Sequence, residues 1–489
     1  MALKYVAPFE TVLQGDDGEK YTLLWGDQCR TLGPMNGPRT RVRARARTGT
    51  VPSEALGDQR LLEIYIIDVG QGDGILVRTP DDAWHMIDGG TFNRKQDLKK
   101  GAPNFVRWKF REDLREDTVR LRNMVLTHPD TDHFGGLVDI LSGKFGRDQD
   151  DTKIEVENFF HNGLGKFPQK SVPKPVEGTV DEFPRGDRGI PRKGKFRTDL
   201  LDRKTSFKNP PTPFGAEFAE LAKLVAKVPK NVHRVDSSWQ FLHGYGEGEN
   251  EVVMRVLGPV LERFGNQQGL RVLGSQGETV NGHSVVLRLD YGRARILLTG
   301  DLNDPSQKLL LSYEPEESFA VDVAKACHHG SEDVALAFVK AMRARSTVIS
   351  SGDNEGFAHP RPVLMGASGR YGREGVDATK TREEVMPPLV YSTELARSVK
   401  LSQAREVRVP GESAEQPRAV QPADTEVLAR EEKAEFKRLD RTPLSTDLIY
   451  GLVNVRTDGK NILCATLEEQ GTDFDVKVFC ADKSPSGGS

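Results

Sequence analysis

The segment Val125-Leu126-Thr127-His128-Pro129-Asp130-Thr131-Asp132-His133-Phe134-Gly135-Gly136 constrains this chain more than any other. An apolar, strand-like run leads into two histidines and two aspartates within six residues. A Gly-Gly pair follows and would let the chain turn tightly into a helix. His128-x-Asp130-x-Asp132-His133 offers ligands at alternate loop positions, so that successive side chains can reach two neighbouring cations. Carboxylates beside a buried strand are costly unless something neutralises them. The pattern predicts a binuclear metal loop at the end of a core strand, not a solvated surface cluster.

This run is similar to the signature of the metallo-β-lactamase fold superfamily, written H-x-H-x-D-H. Other segments narrow the resemblance. Ile66-Ile67-Asp68-Val69-Gly70-Gln71-Gly72-Asp73 resembles the D-V-G-Q-G-D that opens hydrolase domains of ComEC-type competence channels. Trp84-His85-Met86-Ile87-Asp88-Gly89-Gly90 resembles the next strand and its acidic turn, and Asn281-Gly282-His283-Ser284-Val285-Val286-Leu287 an N-x-x-S-V-V-L strand. Leu297-Leu298-Thr299-Gly300-Asp301 resembles the strand with the later aspartate, and His328-His329-Gly330-Ser331 the H-H-G-S loop. His359-Pro360 stands where these proteins carry a further His-Pro. The likeness spans about residues 61–365.

The resemblance implies an αββα sandwich of the α+β class and a centre of two divalent ions, zinc or manganese, with magnesium admissible. By resemblance His128, Asp130 and His161 hold one metal, Asp132, His133 and His329 hold the other, and Asp301 bridges them around an activated hydroxide. Asp130 replaces the usual second histidine of the signature. A carboxylate there is harder and favours manganese or magnesium relative to zinc; the ComEC-type domains share it. The implied catalytic residues are Asp132, His328 and His359. His328 would steady a phosphoryl oxygen or protonate a leaving group, and His359 would be a second general acid or a packing residue. Gln71 and Asp73 would contact substrate or metal-bound solvent, and Asp88 would orient the metal loop through hydrogen bonds.

Composition limits the alternatives. A chain of 489 residues has material for about three domains. Its 37% hydrophobic and 29% charged residues are ordinary for a soluble protein. No apolar run approaches the roughly 18 residues that span a bilayer, and Met1-Ala2-Leu3-Lys4-Tyr5 lacks the apolar core of a signal peptide. The expectation is a soluble, cytoplasmic relative of the channel domains with no membrane partner. Cys29, Cys327, Cys464 and Cys480 are scattered and fit a reducing compartment. Cys327, beside the His-His pair, reads as a small buried residue ending a strand. A net charge of −3 gives no overall attraction for nucleic acid, so any such affinity must come from local patches.

Residues 1–58 read as a small all-β module resembling bacterial SH3-like barrels, which could also dock a protein partner. Within it, Arg39, Arg41, Arg43, Arg45 and Arg47 alternate with small residues, placing the guanidiniums on one face of a strand over 40–47. That face is either a solvated edge or a phosphate-binding surface. Residues 59–400 read as the hydrolase domain. Strands are expected at 122–126, 154–160, 252–257, 284–289, 294–298 and 347–350, with helices from 137, at 214–228 and at 333–342. Residues 164–213 interrupt it with twelve Lys and Arg against six Asp and Glu, a formal +6, and too few aliphatics to order alone. Arg192 and Lys193 in this basic insertion are candidate substrate contacts. Residues 401–440 read as a linker or flexible loop. Residues 441–483 read as strands that pack on the hydrolase domain or close its sheet.

The leading functional reading is a metal-dependent phosphodiesterase, a soluble nuclease with DNA as preferred substrate. Hydrolysis of a small phosphodiester or phosphocholine-type ester is the first alternative. A regulatory or binding protein with a vestigial metal site is the second. A role in defence against phage follows from the resemblance alone.

Overall fold

Burial on both faces shapes the two central strands systems of the chain. In Leu62–Ile66 all five residues are buried: Leu62, Ile64 and Ile66 point to one side, and Tyr65 to the other. Such continuous burial marks a strand covered on both faces. The computed structural model describes residues 2–35, 37–70, 72–95, 101–143, 145, 152–351, 359–393, 406–407, 418–419, 452–467 and 473–481.

Two sheets face each other. The first has nine strands in the order Asn231–Arg234, Lys153–His161, Thr118–Leu126, Trp84–Gly89, Gly74–Arg78, Leu62–Ile66, Val453–Thr457, Asn461–Leu467 and Phe474–Cys480. The second has six: Val252–Gly258, Val286–Tyr291, Ala294–Leu298, Val323–Lys325, Ser346–Ile349 and Leu389–Ser392. Ile64, Val77 and Val125 of the first sheet meet Leu287, Ile296 and Val348 of the second in the core between them. Helices Thr131–Ser142 and Ala216–Val225 cover the outer face of the first sheet through Leu137, Phe218 and Leu221. Asp304–Tyr313, Leu336–Met342 and Pro362–Tyr371 cover the second through Leu310, Phe338 and Leu364. The result is the expected αββα sandwich.

Each sheet contains a parallel stretch. In the first, Trp84–Gly89, Thr118–Leu126, Lys153–His161 and Asn231–Arg234 run parallel. In the second, Ala294–Leu298 and the three strands after it do so. The carboxyl ends of parallel strands are where open α/β sheets place ligands. Here they deliver His128, His161, Asp301 and His329.

The C-terminal strands are part of the first sheet, because Val453–Thr457 pairs antiparallel with Leu62–Ile66. The expected linker at 401–440 lies outside the described residues, apart from the paired strands Glu406–Val407 and Arg418–Ala419. Among the described residues no helix is long and apolar enough to cross a membrane.

The N-terminal module is all-β, with seven strands in one antiparallel sheet around Leu13, Leu23, Val42 and Val51. The strand pairs described do not include one that closes it into the expected SH3-like barrel. The strand expected over 40–47 is broken by left-handed Arg45 and Ala46, φ 46° and 62°, which turn Arg39–Ala44 back into Arg47–Pro52. Alternation holds up to that turn, with Thr40, Val42 and Ala44 buried. The arginines are engaged within the protein: Arg41 pairs with Asp16 at 2.6 Å, Arg43 donates to the Asp113 carbonyl at 2.8 Å, and Arg47 lies over Tyr21.

Residues 164–213 are more ordered than their composition suggests. Val176–Thr179 pairs with Lys193–Arg197, which pairs with Gln267–Arg271. Phe196 stacks on Phe264 with ring centroids 4.2 Å apart. The apolar partner comes from outside the segment, so its own composition could not reveal it.

Candidate metal centre

Thr118–Leu126 ends beside His161, and Thr127 and His128 follow at once. Helix Thr131–Ser142 starts six residues earlier than expected, with Asp130 at its N-cap position. Asp132 and His133 therefore sit on the first turn of a helix, where backbone hydrogen bonds fix their direction. The Gly-Gly pair makes no turn. It lets the helix lie against strand Trp84–Gly89: a Cβ on Gly136 would fall 1.9 Å from the Gly89 carbonyl oxygen. Gly72, at φ 104°, serves the same end, since a Cβ there would fall 1.7 Å from the Asp132 carbonyl oxygen. These close approaches bring Asp73 beside His133.

Asp73, His133, Asp301 and His329 are all buried, and one ligand atom from each lies within 4.8 Å of the others. Asp301 Oδ2 is the hub. It stands 3.2 Å from His133 Nε2, 3.0 Å from His329 Nε2, and 3.9 Å from the Nε2 atoms of His128 and His328. His133 Nε2 and His329 Nε2 are 3.3 Å apart. Ligands about 2.0–2.2 Å from a shared tetrahedral cation would be separated by about this much.

Hydrogen bonds identify which ring nitrogens are free. His133 Nδ1 lies 2.8 Å from Asp88 Oδ2, and His329 Nδ1 lies 3.1 Å from the Ser350 carbonyl oxygen, so both donate from Nδ1. His128 Nδ1 meets the hydroxyls of Thr127 at 3.1 Å and Ser284 at 3.2 Å. Those hydroxyls already donate, to Asp88 Oδ2 and to the Asn281 carbonyl, so His128 Nδ1 must donate too. All three rings thus aim Nε2 at the Asp301 carboxylate, and each ring, when neutral, would offer its lone pair there. His128 Nε2 is buried without a hydrogen-bond partner among the described residues. Buried imidazole and carboxylate groups converging in this way fit a bound cation, and the donor set suits a first-row divalent ion.

Electrostatics describes the same site without its ion. Burial opposes charge on His133 and His329, but carboxylates override it. Asp301 and Asp88 hold His133 well above its usual value, and Asp301 and Asp73 push His329 up to about 10. Burial and the neighbouring His133 push His128 down to about 3. Burial raises Asp88, yet its oxygens accept from the Thr127 backbone N–H at 2.8 Å and hydroxyl at 2.6 Å, so it acts as the orienting acceptor expected of it.

The remaining candidates separate. Asp132 and Asp130 stand at the rim, 3.8 Å from His329 Nε2 and from His128 Nε2 respectively. Asp130 also pairs with Lys166 at 2.8 Å. His328, about a quarter exposed, and His359 line one side, their ring centroids 5.7 Å apart. His161 has the opposite tautomer. Its Nδ1 accepts the Gly163 N–H at 3.0 Å, which leaves the proton on Nε2 of the neutral ring. Among the described residues its ring packs against Phe159 and Phe207 and meets no ring of the Asp301 group. Gln71 lies outside the described residues. Arg192 and Lys193 are exposed on the side sheet, whereas Arg197 of the same strand is buried against Asp199. Asp73, expected to meet substrate, belongs to the buried cluster.

Two lysines were not anticipated. Lys166 reaches Asp130 from the basic insertion. Lys325 is fully buried, 2.5 Å from Asp73 Oδ2. Its only signal was a charge inside the apolar run Val321-Asp322-Val323-Ala324-Lys325-Ala326-Cys327. Cys327 is buried just after a strand, as expected, and burial pushes its thiol up to about 11.

No curated protein matches the chain. The solved structure of the metallo-beta-lactamase fold protein YhfI from Bacillus subtilis is similar at 10% identity, over 63% of this chain and 93% of that one, with a TM-score of 0.30. Residues 67–144, the stretch that supplies Asp73, Asp88, His128 and His133, match the family model of the Metallo-beta-lactamase superfamily.

Proposed function

We propose that this protein is a metal-dependent phosphodiesterase, acting as a nuclease with DNA as its preferred substrate. The observation that supports the hydrolase reading is the set of Nε2 atoms of His128, His133 and His329 aimed at Asp301, a buried imidazole–carboxylate cluster suited to a cation. A divalent ion held there supplies Lewis acidity and lowers the pKa of bound water. The protein's own groups do the rest. Asp88 and the Ser350 carbonyl hold two ligand rings in one tautomer. Burial lowers the pKa of His328, so the ring stays neutral near pH 7 and offers an N–H to a phosphoryl oxygen.

What supports a polyanionic substrate is the basic insertion. It leaves the fold at His161, touches the rim through Lys166, and exposes Arg192, Lys193 and Lys195. Such a surface raises the local concentration of a polyanion.

The test is to incubate the protein with plasmid, single-stranded DNA, RNA and a small chromogenic phosphodiester, each with zinc, manganese or magnesium. Metal-dependent cleavage of DNA, lost in His133→Ala, is expected. Turnover of the small ester alone would favour the small-phosphodiester reading. Absence of any cleavage by metal-loaded protein would sink the hydrolase.

A further inference from the structure

Lys325 ends the strand Val323–Lys325, three residues before His328, and its side chain has no solvent exposure. Its ammonium lies 2.5 Å from Asp73 Oδ2, 3.0 Å from the Gly300 carbonyl oxygen and 3.7 Å from Asp301 Oδ1. Both carboxylates are divided in the same way. Asp301 turns Oδ2 to the histidines and Oδ1 toward Lys325. Asp73 turns Oδ2 to Lys325 and Oδ1 to His329 Nδ1, 3.4 Å away. The side of these carboxylates away from the Nε2 atoms thus already holds a permanent cation.

We propose that Lys325 is a resident cation of the metal centre: it neutralises Asp73, keeps that carboxylate out of the ligand set, and holds the Asp301 group assembled when no metal is bound. The inference rests on the reading of this cluster as a metal site. It assigns Asp73 differently from simple proximity, since its Oδ2 is engaged by the ammonium and its Oδ1 faces His329 Nδ1 and not the Nε2 atoms. Two effects of opposite sign follow. Without metal, the ammonium stabilises two buried carboxylates that would otherwise repel each other. With metal, the same charge repels the incoming ion across a few ångströms of low-dielectric interior and weakens its binding. A lysine that merely filled space would do neither.

The experiment compares the wild type with Lys325→Met, which keeps the stem and removes the charge. In chelator, the melting temperature of the variant should fall by about 5 °C or more. In excess Mn2+ most of that loss should disappear, because the ion replaces the missing charge. Mn2+ titrated into metal-free protein should bind the variant about tenfold more tightly or better. An equal loss with and without Mn2+, or affinity that is unchanged or weaker, would overturn the proposal. If Lys325→Met does not fold, Asp73→Asn/Lys325→Met removes anion and cation together and should melt near the wild type in chelator. A double variant that also fails to fold rejects the pairing. Neither readout uses turnover. A protein that shows both effects but cleaves nothing refutes the phosphodiesterase and leaves this inference standing. Cleavage without the two effects does the reverse.

Discussion

A histidine is poised to serve as a metal ligand through one nitrogen when the other is committed to a hydrogen bond. At His133 the commitment is to Asp88, at His329 to Ser350, and at His128 to Thr127 and Ser284. His133→Ala or Asp301→Ala should lower phosphodiester turnover by about a thousandfold or more, with the fold retained by circular dichroism. Asp88→Asn changes an acceptor into a mixed amide and should weaken metal binding or activity by about 10–100-fold. Metal affinity equal to the wild type would remove Asp88 from the centre. His161 is the contrasting case. Because its Nδ1 accepts a backbone N–H, His161→Ala should keep the wild-type metal content by elemental analysis, whereas His128→Ala should reduce it. A matching loss in both variants would restore His161 as a ligand.

At the scale of elements, close backbone contact aims these residues. Helix Thr131–Ser142 reaches Gly89 of the strand through Gly136, and Thr91 and Phe92 just after it through Gly135, only because neither glycine has a side chain. Gly136→Ala should cost about 1–3 kcal/mol of stability, read from chemical denaturation, and should weaken metal binding by displacing His133. An unchanged denaturation midpoint would mean that strand and helix separate freely. The basic insertion is likewise an element built by pairing. Lys193 and Lys195 project from a strand held by Gln267–Arg271, so charge-neutral variants should bind DNA with a log–log salt slope reduced by about 0.7–0.9 per lost contact. Small-phosphodiester turnover should barely change; an equal fall for both substrates would make the strand structural.

Across the whole molecule, one buried ion pair joins three distant parts of the chain. Arg456 of the C-terminal strands meets Asp27 of the N-terminal module at 2.8 Å, and donates to the Trp25 carbonyl at 2.7 Å. Its strand pairs with Leu62–Ile66 of the first sheet. Arg456→Met leaves Asp27 buried without its ion-pair partner, and should destabilise the protein by about 3 kcal/mol in denaturant titration. Loss of much less would show the N-terminal module to be an independent attachment.

The sequence by itself determined the apolar strand that leads into His128 and His133 and their close spacing; the sandwich, and the convergence of Asp301 and His329 on that pair, followed from the resemblance of separate motifs to a known family. An apolar run and the short spacing of 128–133 are local patterns, and local patterns survive in one dimension. The resemblance also placed Asp88 correctly, as an orienting residue. Only the tertiary structure decided the tautomer of His161, the membership of Asp73, the buried Lys325 and the order within 164–213. Each depends on a partner far away in the chain: Lys325 lies about 250 residues from Asp73, and Phe196 is ordered by Phe264. A histidine's spacing reveals where its backbone goes. Which nitrogen carries the proton depends on the atom that folding brings to the other side of the ring.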